Sequence, residues 1–137
     1  MSELVQTLKA EHANIVRILM KVSELGIESS EGKKALMSAK TGLLAHLQRE
    51  DDHLYPVLLK AADDDEIIRD ALEFFEHDIA EVSRLALDFF AKYTDELAGD
   101  DVIAEFVEDF GTLAGLLSQR IQKEEAIIYK MYDQLEA

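Results

Sequence analysis

Residues 46–55 read HLQREDDHLY, and residues 120–129 read RIQKEEAIIY. The two segments share a glutamine at the third position, a glutamate at the fifth and a tyrosine at the tenth. A shorter match, Glu11-His12 with Glu76-His77, relates the parts of the chain that precede them. The chain is therefore predicted to contain two similar helical hairpins, and the repeat shows which positions correspond.

Three short interruptions, at residues 26–32, 61–65 and 98–100, divide the chain into four segments of about 25 to 35 residues with apolar residues at helical spacing. The predicted N-caps are Ser2, Ser30, Asp65 and Asp100 or Asp101, and Gly26 and Gly99 are predicted near helix ends. Four long helices with short connections predict an all-α, up-down-up-down antiparallel four-helix bundle. Pro56 falls late in the second helix, where we expect it to bend the helix without ending it.

The composition sets limits on the function. A length of 137 residues fits one domain spanning 1–137, and the absence of cysteine excludes thiolate metal sites. The net charge of -15 argues against nucleic acid and against anionic membrane surfaces as partners. No signal peptide and no apolar stretch approaching the roughly 20 residues of a membrane span is found, so we expect a soluble, cytoplasmic protein.

His12, His46, His77 and Arg120 are predicted to occupy one layer of the bundle. In an antiparallel hairpin, two residues that are equally far from the connecting loop lie at the same height. His12 and His46 are symmetric about position 29, and His46 and His77 about a point between 61 and 62. His77 and Arg120 are symmetric about a point between 98 and 99.

Three glutamates satisfy the same relations one turn away, and Leu8 is the fourth member of their layer. The pairs spaced four residues apart, each on one helix face, are His46 with Glu50, Glu73 with His77, and Arg120 with Glu124. Imidazole nitrogens and carboxylate oxygens suit iron, manganese and zinc, and bundle cores can hold two-metal carboxylate sites. Because buried carboxylates are costly without a cation, this pattern indicates a metal site.

The segments around these residues resemble the helix signatures of the hemerythrin-like, HHE cation-binding family. They are AEHANIVRIL around His12, HLQREDDHLYP around His46 and Glu50, FFEHDIAEV around His77, and IQKEEAIIY around Glu124. The resemblance covers essentially the whole chain and implies a bundle with a non-haem, usually oxo-bridged, di-iron centre. Members of this family bind oxygen reversibly, sense oxygen or iron, or handle nitric oxide and damaged iron–sulfur centres.

Carried over by position, the resemblance implies three terminal ligands, His12, His46 and His77, and two bridging carboxylates, Glu50 and Glu124. This chain departs from the family's pattern at two positions, where Arg120 and Glu73 replace histidines. The metal nearer the first two helices keeps its ligands, whereas the other keeps only His77, Glu73 and the bridges. An arginine cannot ligate a metal, and its permanent charge lies where a cation would lie.

Three arrangements remain open on the sequence: a di-iron centre that uses Glu73, a single metal at the fuller half, or no metal, with Arg120 paired to the glutamates. The first function hypothesis is an iron protein, monomeric or homodimeric, that binds or senses oxygen, nitric oxide or iron. The alternatives are a metal-free interaction protein and a carboxylate-rich redox enzyme. The candidate metal ligands are His12, His46, Glu50, Glu73, His77 and Glu124.

The remaining candidates have simpler interpretations. His53 is expected at the surface, since it lies seven residues beyond His46 on a neighbouring face. Asp51 and Glu125 are alternatives to Glu50 and Glu124 as the metal-ligating carboxylates. The spacing from His46 favours Glu50, and the repeat then favours Glu124. Tyr55 and Tyr129 are predicted as core or boundary aromatics, with hydrogen bonds to the metal site as the alternative. No motif for hydrolytic catalysis is present.

Overall fold

The computed structural model describes residues 2–93 and 100–136, with the backbone alone for residues 100–102. Its α-helices are α1 (Glu3–Leu25), α2 (Ser30–Arg49), α3 (Tyr55–Ala62), α4 (Glu66–Lys92), α5 (Asp100–Lys123) and α6 (Tyr129–Glu136). Two π-helical segments, Glu50–Leu54 and Glu124–Ile128, join α2 to α3 and α5 to α6. The described residues contain no strand, and the prediction of a four-helix bundle is confirmed.

Side-chain caps begin three of the helices, at Ser2, Ser29 and Asp65. Ser29 takes the role predicted for Ser30, because its hydroxyl accepts a hydrogen bond from the Gly32 N–H at 3.0 Å. Each of these caps satisfies N–H groups in the first turn that have no partner within the helix. The first two loops are therefore closed by local hydrogen bonds, which keeps the connected helices antiparallel neighbours.

The predicted helix ends agree with the structure where they are described. Gly26 ends α1 with a φ of 70°, a conformation that glycine adopts readily, and its N–H donates to the carbonyl of Val22. The predicted helix end at Gly99 lies outside the described residues. The backbone of α5 begins at Asp100, and the capping roles predicted for Asp100 or Asp101 concern side chains that lie outside the description.

The helices pack in two hairpins, α1 against α2 and α4 against α5, and α3 packs against α4 across the second loop. The Ser2 N–H donates to Asp133 Oδ1 at 2.9 Å, which places the start of α1 beside the end of α6. This contact fits the up-down-up-down order. In the described part of the chain, no helix is long and apolar enough to cross a membrane.

A single polar layer separates two apolar clusters in the core. One cluster contains Ile15, Leu43 and Leu117, and the other contains Leu8 and Leu54. The buried polar residues are His12, His46, Glu50, Arg120 and Glu124. Because apolar side chains lie above and below them, these polar groups need partners within their own layer or a bound ion.

The π-helical segments begin at the two glutamates that the repeat relates. Tyr55 N–H donates to the carbonyl of Glu50, and Tyr129 N–H donates to the carbonyl of Glu124, five residues earlier in each case. The helical conformation continues through Pro56, as predicted, and proline does not cause the π segment, because a lysine takes its place in the second copy. Such segments are frequent at functional sites.

Two glycines offer a matched test of the packing at the first loop. A Cβ at Gly32 would overlap the carbonyl oxygen of Gly26, whereas a Cβ at Gly42 would meet nothing. We expect Gly32→Ala to lower the free energy of unfolding by about 1–3 kcal/mol. Gly42→Ala should raise it by about 1 kcal/mol, because alanine favours the helix. Urea denaturation followed by circular dichroism measures both, and equal stability of the two variants would contradict the packing at Gly32.

Candidate metal centre

Four of the buried polar residues, His12, His46, Glu50 and Glu124, converge from three of the four bundle helices. One ligand atom from each lies within 4.8 Å of the others, so the group could hold a metal ion. Between 0% and 3% of the surface of each residue is exposed. Two imidazoles and two carboxylates form a donor set that suits iron, manganese or zinc.

The His46 ring is oriented by a carboxylate on its outer side. Its Nδ1 lies 3.0 Å from Glu11 Oε1, and because a carboxylate only accepts hydrogen bonds, Nδ1 carries a proton. Its Nε2 faces the centre, 3.4 Å from Glu50 Oε1, and has no hydrogen-bond partner among the described residues. A carboxylate that holds the outer nitrogen of a histidine is a common support of metal-ligating histidines.

His12 is held in the same way. Its Nδ1 lies 3.0 Å from Glu125 Oε2, and its Nε2 lies 3.4 Å from Glu124 Oε1. The centroids of the His12 and His46 rings are 4.6 Å apart. Both Nε2 atoms therefore face the same small volume that the carboxylates face.

Two buried tyrosines donate hydrogen bonds to these carboxylates, and the bonds cross between the two copies of the repeat. Tyr55 donates to Glu124 Oε2 at 2.6 Å, and Tyr129 donates to Glu50 Oε2 at 2.8 Å. Burial raises the pKa of both tyrosines, and the charges of the two glutamates raise it further. The tyrosines are therefore buried, as expected of core aromatics, and they also make the hydrogen bonds given as the alternative.

Arg120 lies beside both carboxylates of the centre. Its Nη2 donates to Glu50 Oε1 at 3.3 Å, and its Nε lies 3.5 Å from Glu124 Oε2. Its Nη1 donates to the carbonyl of Ile79 at 3.0 Å and to Ser83 Oγ at 2.8 Å. The guanidinium is thus held by α4 and placed against both glutamates.

The comparison with family models agrees with this geometry. The model of the hemerythrin HHE cation binding domain matches residues 3–132. The chain belongs to this family. No match is found among curated proteins or among solved structures. An HHE domain with a buried group of histidines and glutamates is consistent with a metal-binding protein.

The pKa values of the two glutamates of this HHE domain are shifted in opposite directions. Burial raises the pKa of Glu50 to about 7, and the charge of Glu124 adds to this effect. Burial also acts on Glu124, but its contacts with His12 and Tyr55 and the charge of Arg120 outweigh it and lower its pKa to about 2. A bound cation would favour the charged form of both glutamates.

The pKa of His46 also reflects this environment. Burial lowers it, but the neighbouring carboxylate of Glu50 and the hydrogen bond of Glu11 outweigh the burial, so that the pKa is raised. Because a metal binds only the unprotonated Nε2, protons and metal compete for this atom. Metal affinity should therefore fall as the pH falls.

A small cavity of about 10 Å³ adjoins the centre, with His12, His46, Arg120 and Glu124 on one side. Its other walls are the apolar side chains of Ile15, Leu43, Leu47, Leu117 and Ile121. A cavity of about this size holds one water molecule. The centre thus has space for an ion or a very small ligand without rearrangement of the helices.

Glu73 and His77 do not join the centre, and their predicted placement in the core layers is wrong. Both are exposed, and the His77 side chain is 85% exposed, with its Nε2 2.9 Å from Glu81 on the same helix. The mirror relations about the loops predict how high a residue lies along the bundle, but not the direction in which its side chain points around the helix. His77 lies two residues from Phe75 and from Ile79, a rotation of about 200° away from these core-facing positions.

The register of α4 shows which residue takes the predicted place of His77. Buried positions 5, 8, 15, 19 and 22 of α1 correspond to buried positions 72, 75, 82, 86 and 89 of α4. The same shift relates His12 to Ile79, and not to His77. The Glu-His match between residues 11–12 and 76–77 is therefore out of register with the core. This HHE domain has an isoleucine and Arg120 where the second half of the repeat would carry ligands.

The other candidates are placed as follows. His53 and Asp51 are exposed, in agreement with the surface position predicted for His53 and with the choice of Glu50. Glu11 and Glu125 were missed as supports of the histidines. Glu11 precedes the candidate ligand His12, and Glu125 follows the candidate ligand Glu124. Each contacts the histidine of a neighbouring helix, and the residue spacing within a single helix does not reveal such a contact.

The buried ion pairs of Arg120 give a test in metal-free protein. Arg120→Met removes the only positive group hydrogen-bonded to Glu50 among the described residues, and Arg84→Met removes an exposed arginine as the control. We expect Arg120→Met to lower the free energy of unfolding by about 3–5 kcal/mol. The control should change it by less than about 0.5 kcal/mol. Denaturation in chelator measures both, and equal stability would show that these ion pairs do not stabilise the core.

Proposed function

We propose that this protein binds a single non-haem iron through His12, His46, Glu50 and Glu124 and uses it to bind or sense a small ligand such as oxygen or nitric oxide. One observation carries the proposal: four donor groups converge within 4.8 Å in an apolar core. The buried His46 Nε2, which has no hydrogen-bond partner in the described part of the chain, points into this group. A cation would satisfy all of these groups together.

A single metal fits the centre better than two. The family's carboxylates bridge two cations, and here each of Glu50 and Glu124 lies beside one histidine and also beside Arg120. A second cation near Arg120 would meet a fixed positive charge, and the position that corresponds to His12 there is Ile79. The guanidinium therefore takes the electrostatic role of the second metal.

The iron would supply a place for a small ligand, because four protein donors leave coordination positions free on a metal that accepts up to six. The protein's own part is to orient the donors and to exclude water. Glu11 and Glu125 hold the histidine rings, and Leu43 and Leu117 line the adjoining cavity. This cavity suits a diatomic molecule in size better than an organic substrate.

We further propose that residues 1–137 act as one cytoplasmic domain, since the chain has no cysteine that needs an oxidising compartment.

A second candidate function is a metal-free interaction protein. The observation that favours it is the pair of contacts from Arg120, to Glu50 at 3.3 Å and to Glu124 at 3.5 Å, which already supply a positive charge. The redox-enzyme alternative relied on Glu73 as an extra carboxylate ligand. Since Glu73 is exposed, that argument has lost its support.

Iron content separates these candidates. Protein expressed with iron should contain one iron per chain by elemental analysis, and the iron should be removed by a strong chelator. His46→Ala should weaken iron binding at least about tenfold, because loss of only the hydrogen-bonded partner of a ligand already lowers metal affinity by about that factor. His77→Ala is the matched control and should retain the iron, since His77 is on the surface.

Other outcomes have clear meanings. Two irons per chain would contradict the single-metal proposal, and unchanged iron in His46→Ala would contradict the assigned ligands. No iron after anaerobic loading, with stability that does not respond to chelator, would favour the metal-free protein instead.

A further inference from the structure

Tyr129 lies inside the group of candidate ligands. It is fully buried, and its hydroxyl oxygen is 3.0 Å from His12 Nε2 and 2.8 Å from Glu50 Oε2. Its ring stacks on that of His12 with 17° between the planes. Tyr129 thus contacts the candidate ligands from two different helices.

The Tyr129 oxygen contacts atoms of two candidate ligands at once. Its hydroxyl donates to Glu50 Oε2 at 2.8 Å, and the same oxygen lies 3.0 Å from His12 Nε2. On the outer side of the His12 ring, Nδ1 lies 3.0 Å from Glu125 Oε2, so Nε2 is the nitrogen that faces the centre. The phenol oxygen therefore lies beside the atoms that would hold an ion.

The distances fit a cation. Donor atoms about 2.1 Å from a metal lie about 3.0 Å apart when they occupy neighbouring positions of an octahedron. The Tyr129 oxygen lies at 3.0 and 2.8 Å from two of the candidate ligands. These separations are those of neighbouring ligands, so the Tyr129 oxygen could join the other donors on one ion without a shift of the helices.

Tyr55, the matching residue of the first copy, has different surroundings. Its hydroxyl donates to Glu124 at 2.6 Å, and the residue that corresponds to His12 on that side is Ile79, so no hydrogen bond joins Tyr55 to a histidine in the described part of the chain. The repeat thus provides two buried phenols that each bind one carboxylate. Only Tyr129 also contacts a candidate ligand nitrogen.

We propose that Tyr129 is a fifth, direct ligand of the metal, bound through its phenolate oxygen, and this inference rests on the proposed iron site. On metal binding, the bond between the phenol oxygen and its proton breaks, the oxygen bonds to the metal, and the proton leaves to solvent. Glu50, Glu124 and the phenolate then carry three negative charges. Ferrous iron and Arg120 carry three positive charges, and ferric iron and Arg120 carry four, so the phenolate brings the buried group to neutrality or to within one charge of it.

Ferric iron tests the proposal by colour, because a phenolate bound directly to it gives an intense charge-transfer band in the visible that carboxylate and imidazole ligands do not give. The wild-type protein, loaded with ferric citrate and freed of excess iron, should show this band, with phenolate vibrations enhanced in its resonance Raman spectrum. Tyr129→Phe should lose both signals. Tyr55→Phe removes the matching phenol and should keep both. Circular dichroism and iron analysis of each variant confirm folding and loading.

The outcomes are distinguishable. Bound iron without the band in the wild type, or a band that survives in Tyr129→Phe, would overturn the assignment of Tyr129 and leave the iron site intact. A wild type that binds no iron would overturn the proposed function and this inference together. If Tyr129→Phe does not fold, persistence of the band in folded Tyr55→Phe supports Tyr129, and loss of the band there, with iron retained, assigns the ligand to Tyr55 instead.

Discussion

Two carboxylates that face each other in an apolar core determine the arrangement of the rest of the centre. Glu50 and Glu124 are almost fully buried, and their charge must be balanced by a proton, a guanidinium or a metal. Arg120 balances part of it, and His12 and His46 offer two ligand nitrogens to a metal. The two apolar clusters above and below prevent solvent from providing this balance. The function of the protein therefore depends on which cation completes the polar layer.

The repeat explains both the symmetry of the centre and its loss. Duplication of a hairpin places a glutamate, a π-helical segment and a tyrosine at matching positions, and each tyrosine binds the glutamate of the other copy. The two candidate ligand histidines, in contrast, have no histidine at the matching positions of the second copy. His12 corresponds to Ile79 and His46 corresponds to Arg120, so one half of the centre is suited to a metal and the other half has a permanent cation. This altered pattern is the basis for the proposal of one metal beside an arginine.

The sequence predicted the fold and most of the polar layer, because both follow from spacing. The loops appear as interruptions, and the repeat relates the two glutamates. Mirror relations about the loops identified His12 and His46 at one height. The same relations failed for His77, because height does not give direction around a helix, and the apolar face of α4, already visible in sequence, points elsewhere. The contacts of Glu11 and Glu125 could not be predicted, since they depend on how side chains of neighbouring helices meet.

The most direct test of the account is anomalous X-ray diffraction at the iron edge from crystals of the iron-loaded protein. The account predicts a single anomalous peak per chain, within about 2.2 Å of the His12 and His46 Nε2 atoms and of oxygens of Glu50 and Glu124. The Arg120 guanidinium should remain against both carboxylates. Two peaks bridged by the carboxylates, with Arg120 displaced, would contradict the account, and so would a peak only at surface acidic residues.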